Sequence, residues 1–115
     1  MIKPGDVVVV PFPFAEGKGH KWRPAAVVSS ASFHKKYGLC WVAMITSADN
    51  AAWPGDIPIA PLKATGLSAS SCLRPAKLAA MQCDAAKVIG RITPTALSRT
   101  VAFMRAQLAD NRNGD

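Results

Sequence analysis

Lys21-Trp22-Arg23-Pro24 runs directly into Ala25-Ala26-Val27-Val28-Ser29-Ser30, and this stretch decides the fold. A proline breaks a helix interior and pushes the residue before it into extended backbone. The apolar residues that follow therefore read as a strand, Ala25 to Ser29, with an arginine at its entrance. Upstream, Gly5-Asp6 leads into Val7-Val8-Val9-Val10. The β-branched run from Val7 to Phe12 predicts a strand buried on both faces or placed at a barrel seam. Downstream, Leu39 to Ile45 predicts a third strand, which ends on Thr46-Ser47.

Beyond these three, the pattern stays β. Ala48 to Gly55 reads as a loop from its Asp-Asn and Pro-Gly pairs, Asp56 to Ile59 as a short strand, and Val88 to Ile92 as a further one. Ser71 to Met81 can be a strand only if Pro75 sits at an edge or a bulge. Pro11, Pro13, Pro24, Pro54, Pro58 and Pro61 forbid long helices in the first half. The C-terminus is the helical part: Thr93 can cap, Pro94 suits the first helical position, and Leu97, Val101, Met104 and Leu108 form one apolar stripe over about residues 94–110. The expected architecture is mainly β: a small, strongly bent sheet or barrel closed by one helix, in one domain over residues 1–115.

Composition narrows the classes. Half of the residues are hydrophobic and 18% are charged, which argues against disorder. No apolar run approaches the roughly 20 residues of a membrane helix. Met1 to Gly5 lacks a signal-peptide core, so a cytoplasmic protein without membrane association is expected. Cys40, Cys72 and Cys83 are odd in number and lack C-x-x-C spacing, which suits reduced thiols. With only His20 and His34, far apart, neither a metal nor any other cofactor is expected.

Fourteen Lys and Arg against seven Asp and Glu give a net charge of +7 and a pI near 9.8. That balance suits a polyanionic partner or a solvated basic surface. The charge is clustered: Lys18, His20, Lys21, Arg23, His34, Lys35 and Lys36 fall in the first third, and Arg74, Lys77 and Lys87 in another acid-poor stretch. Lys18, Lys21 and Trp22, in or beside a loop with two glycines, combine cations and a ring face as a single-stranded nucleic-acid groove does. The alternative packs Trp22 on the core and leaves the lysines solvated.

Arg23 is the sharper candidate. Its permanently charged, planar guanidinium suits a phosphate on which negative charge develops; the alternative is a salt bridge to Glu16 or Asp49. Thr46 and Ser47 can hydrogen-bond a phosphate oxygen or simply form a turn. His20 can move protons near neutral pH or stand solvated. This inventory fits RNA better than DNA. RNA carries its own nucleophile, the 2′-hydroxyl, so a protein need only orient it, move protons and stabilise the phosphorane.

Gly5-Asp6-Val7-Val8, Arg23-Pro24-Ala25-Ala26-Val27-Val28, Ile45-Thr46-Ser47, Gly66-Leu67 followed by Ser71 and Arg74, and Ile89-Gly90-Arg91-Ile92 occur in that order. As an ordered set, covering nearly the whole chain, they resemble the MazF/PemK family of toxin endoribonucleases. The resemblance implies an SH3-like barrel with a C-terminal helix, a homodimer, and metal-independent cleavage of single-stranded RNA at short sequences. The products would be a 2′,3′-cyclic phosphate and a 5′-hydroxyl. It further implies inhibition by a cognate antitoxin whose acidic tail covers the RNA groove, and a catalytic pair of Arg23 and Thr46. Arg74 and Lys77, by their charge, are expected with Lys18 and Lys21 to contact the RNA backbone. One position departs from the pattern. Where the PemK/Kid branch has Arg-x-Asp, with the aspartate as proton acceptor, this chain reads Arg74-Pro75-Ala76. The base is then sought in His20 or in a water held by Thr46. Two rival classes stand beside the nuclease: a CcdB-like toxin that poisons gyrase by contact, and a barrel that binds RNA without cutting it.

Overall fold

The computed structural model describes residues 1–12 and 21–110. Six strands form one antiparallel sheet in the order β4-β5-β3-β2-β1-β6. They are β1 (Asp6–Phe12), β2 (Lys21–Val27), β3 (Leu39–Ser47), β4 (Ile57–Pro58), β5 (Ser71–Gln82) and β6 (Lys87–Arg91). Two helices complete the fold, α1 (Ala31–Tyr37) and α2 (Pro94–Gln107). β5 and β6 are separated in the sheet by three strands, yet in sequence only a tight turn around Cys83–Ala85 joins them. The sheet must curl for so short a connection to reach, and the result is a half-barrel.

Both faces of the sheet are buried, which is why β1 is β-branched without alternation. Val8 and Val10 pack with Ala25, Val27, Cys40, Val42 and Met44 on one face. Val7 packs with Ala26, Ala43, Ile45 and Leu73 on the other, under Ala96 and Leu97 of α2. Pro24 and Pro75, both within strands, sit where a missing N–H costs least. The β2–β3 ladder begins at Ala25, after Pro24. Pro75 lies in a bulge, because Ala43 pairs with Leu78 while Met44 pairs with Arg74.

Several strand ends move by one to four residues from the sequence reading: β2 starts at Lys21, four residues ahead of Ala25, and β3 runs through Thr46 to Ser47. A helix between β2 and β3 was not expected. α1 is capped by Ser30, whose Oγ accepts the Phe33 N–H at 3.2 Å, and is ended by Gly38 in the left-handed conformation at φ 68°. The α2 stripe is also corrected. Helix α2 stops at Gln107, Leu108 is exposed, and the fully buried helical residue is Thr100, whose hydroxyl donates to the Ala96 carbonyl at 2.8 Å.

Two of the matching sequence pieces are structural. Asp6 is buried and accepts from Arg91 Nη1 at 2.8 Å and from the Lys3 N–H at 3.0 Å, tying the N-terminus to β6. A Cβ on Gly90 would overlap the backbone of Ala64 and Thr65, so only glycine permits this approach.

Candidate active site

Strand alternation gathers the candidates onto one end of one face. Ala25 lies opposite Met44, and both belong to the face away from α2. Two residues on along each strand, with a side-chain period of two, Arg23 and Thr46 project to that same face. Thr46 in turn is paired with Cys72, and Met44 with Arg74. Three neighbouring strands therefore carry Arg23, Thr46, Cys72 and Arg74 on one face.

Their surroundings differ. Arg23 is exposed, and no described residue pairs with its guanidinium; in particular Asp49 does not. The Thr46 hydroxyl accepts from Asn50 Nδ2 at 2.5 Å, which leaves its own proton to donate outward. Ser47 is one residue further and on the opposite face. Its Oγ accepts the Asp49 N–H at 3.2 Å as a turn former, so it cannot stand in for Thr46. Lys21 shares the Arg23 face, whereas Trp22, 63% exposed, is sent to the other face. Lys77 lies exposed in the β5 bulge. Lys18 and His20 lie outside the described residues.

Arg74, read from sequence as an RNA contact, requires correction. It is 7% exposed. Its Nε donates to Asp56 Oδ1 at 3.1 Å, and its Nη2 to Asp56 Oδ2 at 2.9 Å and to the Ala51 carbonyl at 2.8 Å. The guanidinium also lies 4.3 Å from the centre of the Trp53 ring. Its charge is neutralised by Asp56, so it is a support beneath the surface and not a phosphate clamp. The hydrogen bonds from Arg74 in turn hold the Asp56 carboxyl below its ordinary value of 3.8. A carboxylate so stabilised is a poor proton acceptor, and Asp56 does not replace the aspartate missing at Ala76. Asn50 and Trp53 lie in a segment whose sequence announced only a loop, and Asp56, read as the first residue of a short strand, precedes β4 instead. The one signal was an aromatic and two side-chain acceptors crowded beside Pro54-Gly55.

Other reactive groups are silent. Burial, with a smaller contribution from Cys83, pushes the Cys40 thiol up to about 11. Burial and the Asp56 charge also raise Cys72, so neither is a thiolate nucleophile. Ser29 Oγ lies 2.6 Å from His34 Nε2, a spacing seen in nucleophile–base pairs. Both residues are buried, however, and His34 Nδ1–H must donate to the Ile2 carbonyl, while Ser29 accepts the Trp41 N–H. That pair ties the N-terminus to α1 and β3, and it removes His34 from the basic surface. Lys35 and Lys36, on α1, sit at the far end of the β2–β3 pair from Arg23 and Thr46. Among the described residues no three His, Cys, Asp or Glu side chains cluster as metal ligands would.

The half-barrel fold agrees with an independent comparison. Residues 3–107 match the PemK-like, MazF-like toxins of type II toxin-antitoxin systems. The chain belongs to that family. Its fold is shared by MazF from Deinococcus radiodurans, at a TM-score of 0.73 and 19% identity over 91% of this chain and 94% of that one. An endoribonuclease from Mycobacterial species, solved with its cognate antitoxin, superimposes with a TM-score of 0.71 at 13% identity, covering 96% and 100% of the two chains. The Mycobacterium tuberculosis toxin MazF-mt6 gives 0.68 at 13% identity, over 88% and 93%. No protein of curated function is significantly similar to the sequence. Among the described residues no helix is long and apolar enough to cross a membrane.

Proposed function

We propose that this toxin is a metal-independent endoribonuclease that cuts single-stranded RNA by attack of the 2′-hydroxyl on the adjacent phosphate. The observation that carries the reading is the placement of an exposed arginine, unpaired among the described residues, and an oriented threonine hydroxyl on one face of adjacent strands. Arg23 stabilises the charge that accumulates on the phosphorane, and the Thr46 hydroxyl donates to a non-bridging oxygen. Lys21 and Lys77 hold flanking phosphates. Proton removal falls to His20, the residue before β2, or to a water on Thr46. The pH–rate profile of His20→Ala separates these: loss of a step near neutrality assigns the histidine.

The partners follow from the rest of the surface. On the α2 side, Trp41, Leu78, Val101, Met104 and Leu108 line one apolar groove. We assign this groove to a second copy of the chain in a homodimer. The antitoxin would bring an acidic segment that folds over Arg23 and competes with RNA.

Incubation with a long single-stranded RNA in EDTA tests the reading. Fragments ending in a 2′,3′-cyclic phosphate are expected. Retardation without cleavage would leave only an RNA-binding barrel, and neither effect together with gyrase inhibition would favour a CcdB-like poison. Light scattering on the eluting protein tests the dimer, and a monomer with full activity would refute it.

A further inference from the structure

The loop between β3 and β4 carries a firmly anchored surface aromatic. One face of the Trp53 ring lies on the Arg74 guanidinium, 4.3 Å from the ring centre, and the residue is 43% exposed. The Trp53 backbone N–H donates to Asp56 Oδ2 at 2.9 Å, and that same carboxylate takes two of the three hydrogen bonds from Arg74. One acid thus holds the ring's own backbone and the cation beneath the ring. The conformational cost of fixing the indole is met in folding, as a binding platform requires.

Position points to the occupant. Cys72 is paired with Thr46 on one side and with Pro58 on the other, and its Sγ reaches Asp56 Oδ2 at 3.7 Å. The platform is therefore at the Thr46 end of the sheet. We infer that Trp53 stacks an unpaired RNA base next to the phosphate held by Arg23 and Thr46. This rests on the ribonuclease reading and deepens it, by naming a base contact that accompanies the phosphate contacts. A purely electrostatic contact is the wrong chemistry here, because Asp56 neutralises Arg74 and leaves an indole face as the exposed group. Stacking on an aromatic is tolerant of sequence and contributes about five- to 150-fold in affinity per base.

The chemistry gives a readout that a merely structural Trp53 would not move. Removing a stacking ring lowers affinity without changing how many counterions are released, so the slope of affinity against salt is preserved. The probe is a fluorescein-labelled single-stranded RNA of random sequence with 2′-O-methyl riboses, which cannot be cleaved, read by anisotropy over a salt series. Trp53→Ala is expected to lose at least fivefold in affinity at constant slope, and Trp53→Tyr to retain most of it. Lys21→Ala should instead reduce the slope. In a Trp22→Phe/Trp41→Phe protein, the RNA should quench the emission of the remaining Trp53. Wild-type affinity in Trp53→Ala, with Arg23→Ala still weakened, would overturn the stacking and leave the ribonuclease reading standing. Failure of the wild-type protein to bind the RNA would overturn both. Quenching of Trp53 by an acidic peptide, with none by RNA, would overturn the base contact in favour of a protein one.

Discussion

Arg23-Pro24 and Arg74-Pro75 are the same dipeptide, both in strands, both with the arginine on the sheet face away from α2, and they do opposite work. Arg23 is exposed and unpaired among the described residues, with charge available to a ligand. Arg74 is 7% exposed, bidentate to Asp56, and covered by Trp53. A guanidinium acts on substrate only where its own protein leaves it unneutralised. What separates the two is not local sequence but the loop that folds over one of them.

Five variants would break or sharpen this contrast. The largest effect is expected from Arg74→Ala, which leaves the partly buried Asp56 carboxylate without its partner: up to about 3 kcal/mol of stability, the upper range for hydrogen bonds to a charged group. Chemical denaturation reads it, and a loss below 1 kcal/mol would mean that Arg74 is no support. The pair also sets a pH dependence. Because Asp56 titrates lower folded than unfolded, its contribution is complete above the unfolded value and is lost as pH falls through the folded one, below 3.8. Acid unfolding of Asp56→Asn should therefore be less steep in that window.

Arg23→Ala is expected to do the reverse, leaving the melting temperature unchanged while lowering RNA cleavage on the order of 100-fold or more. Unchanged turnover would remove Arg23 from the mechanism. Thr46→Ala should cost roughly tenfold, one hydrogen bond to a charged group, with no rescue by Ser47 on the opposite face. Smallest of all, the Lys35→Ala/Lys36→Ala pair should change cleavage by less than about twofold at physiological salt. From Arg23 to the end of β2 at Val27 the strand spans roughly 13 Å at about 3.3 Å per residue, more than a Debye length of about 8 Å, and α1 with its lysines follows beyond that end. A large effect there would show that RNA wraps the whole β2–β3 hairpin.

Much of the fold was legible because its signals act over a few residues. β-Branched runs, Pro24 at a strand entrance and the Thr93-Pro94 start of α2 each declare their own backbone. α1 escaped because its seven residues are too few for a periodic stripe, and only its Ser30 cap and Gly38 stop announce it. Within the site, Arg23 and Thr46 were readable as a strand entrance and a strand exit. Asn50, Trp53 and Asp56 were not, because a loop's contacts follow no period.

By itself the chain's sequence determined a basic, mainly β protein with a C-terminal helix, in the PemK-like, MazF-like pattern, and singled out Arg23 and Thr46. Only the tertiary structure decided that Thr46 and Ser47 part to opposite faces, and that His34 is sealed against Ser29 and Ile2. It alone also made Arg74 a support for Trp53. The reason is physical. Strand propensity and capping depend on near neighbours in sequence, whereas a charge is free or spent according to what the fold brings beside it. For Arg74 that partner is Asp56, on the far side of a loop.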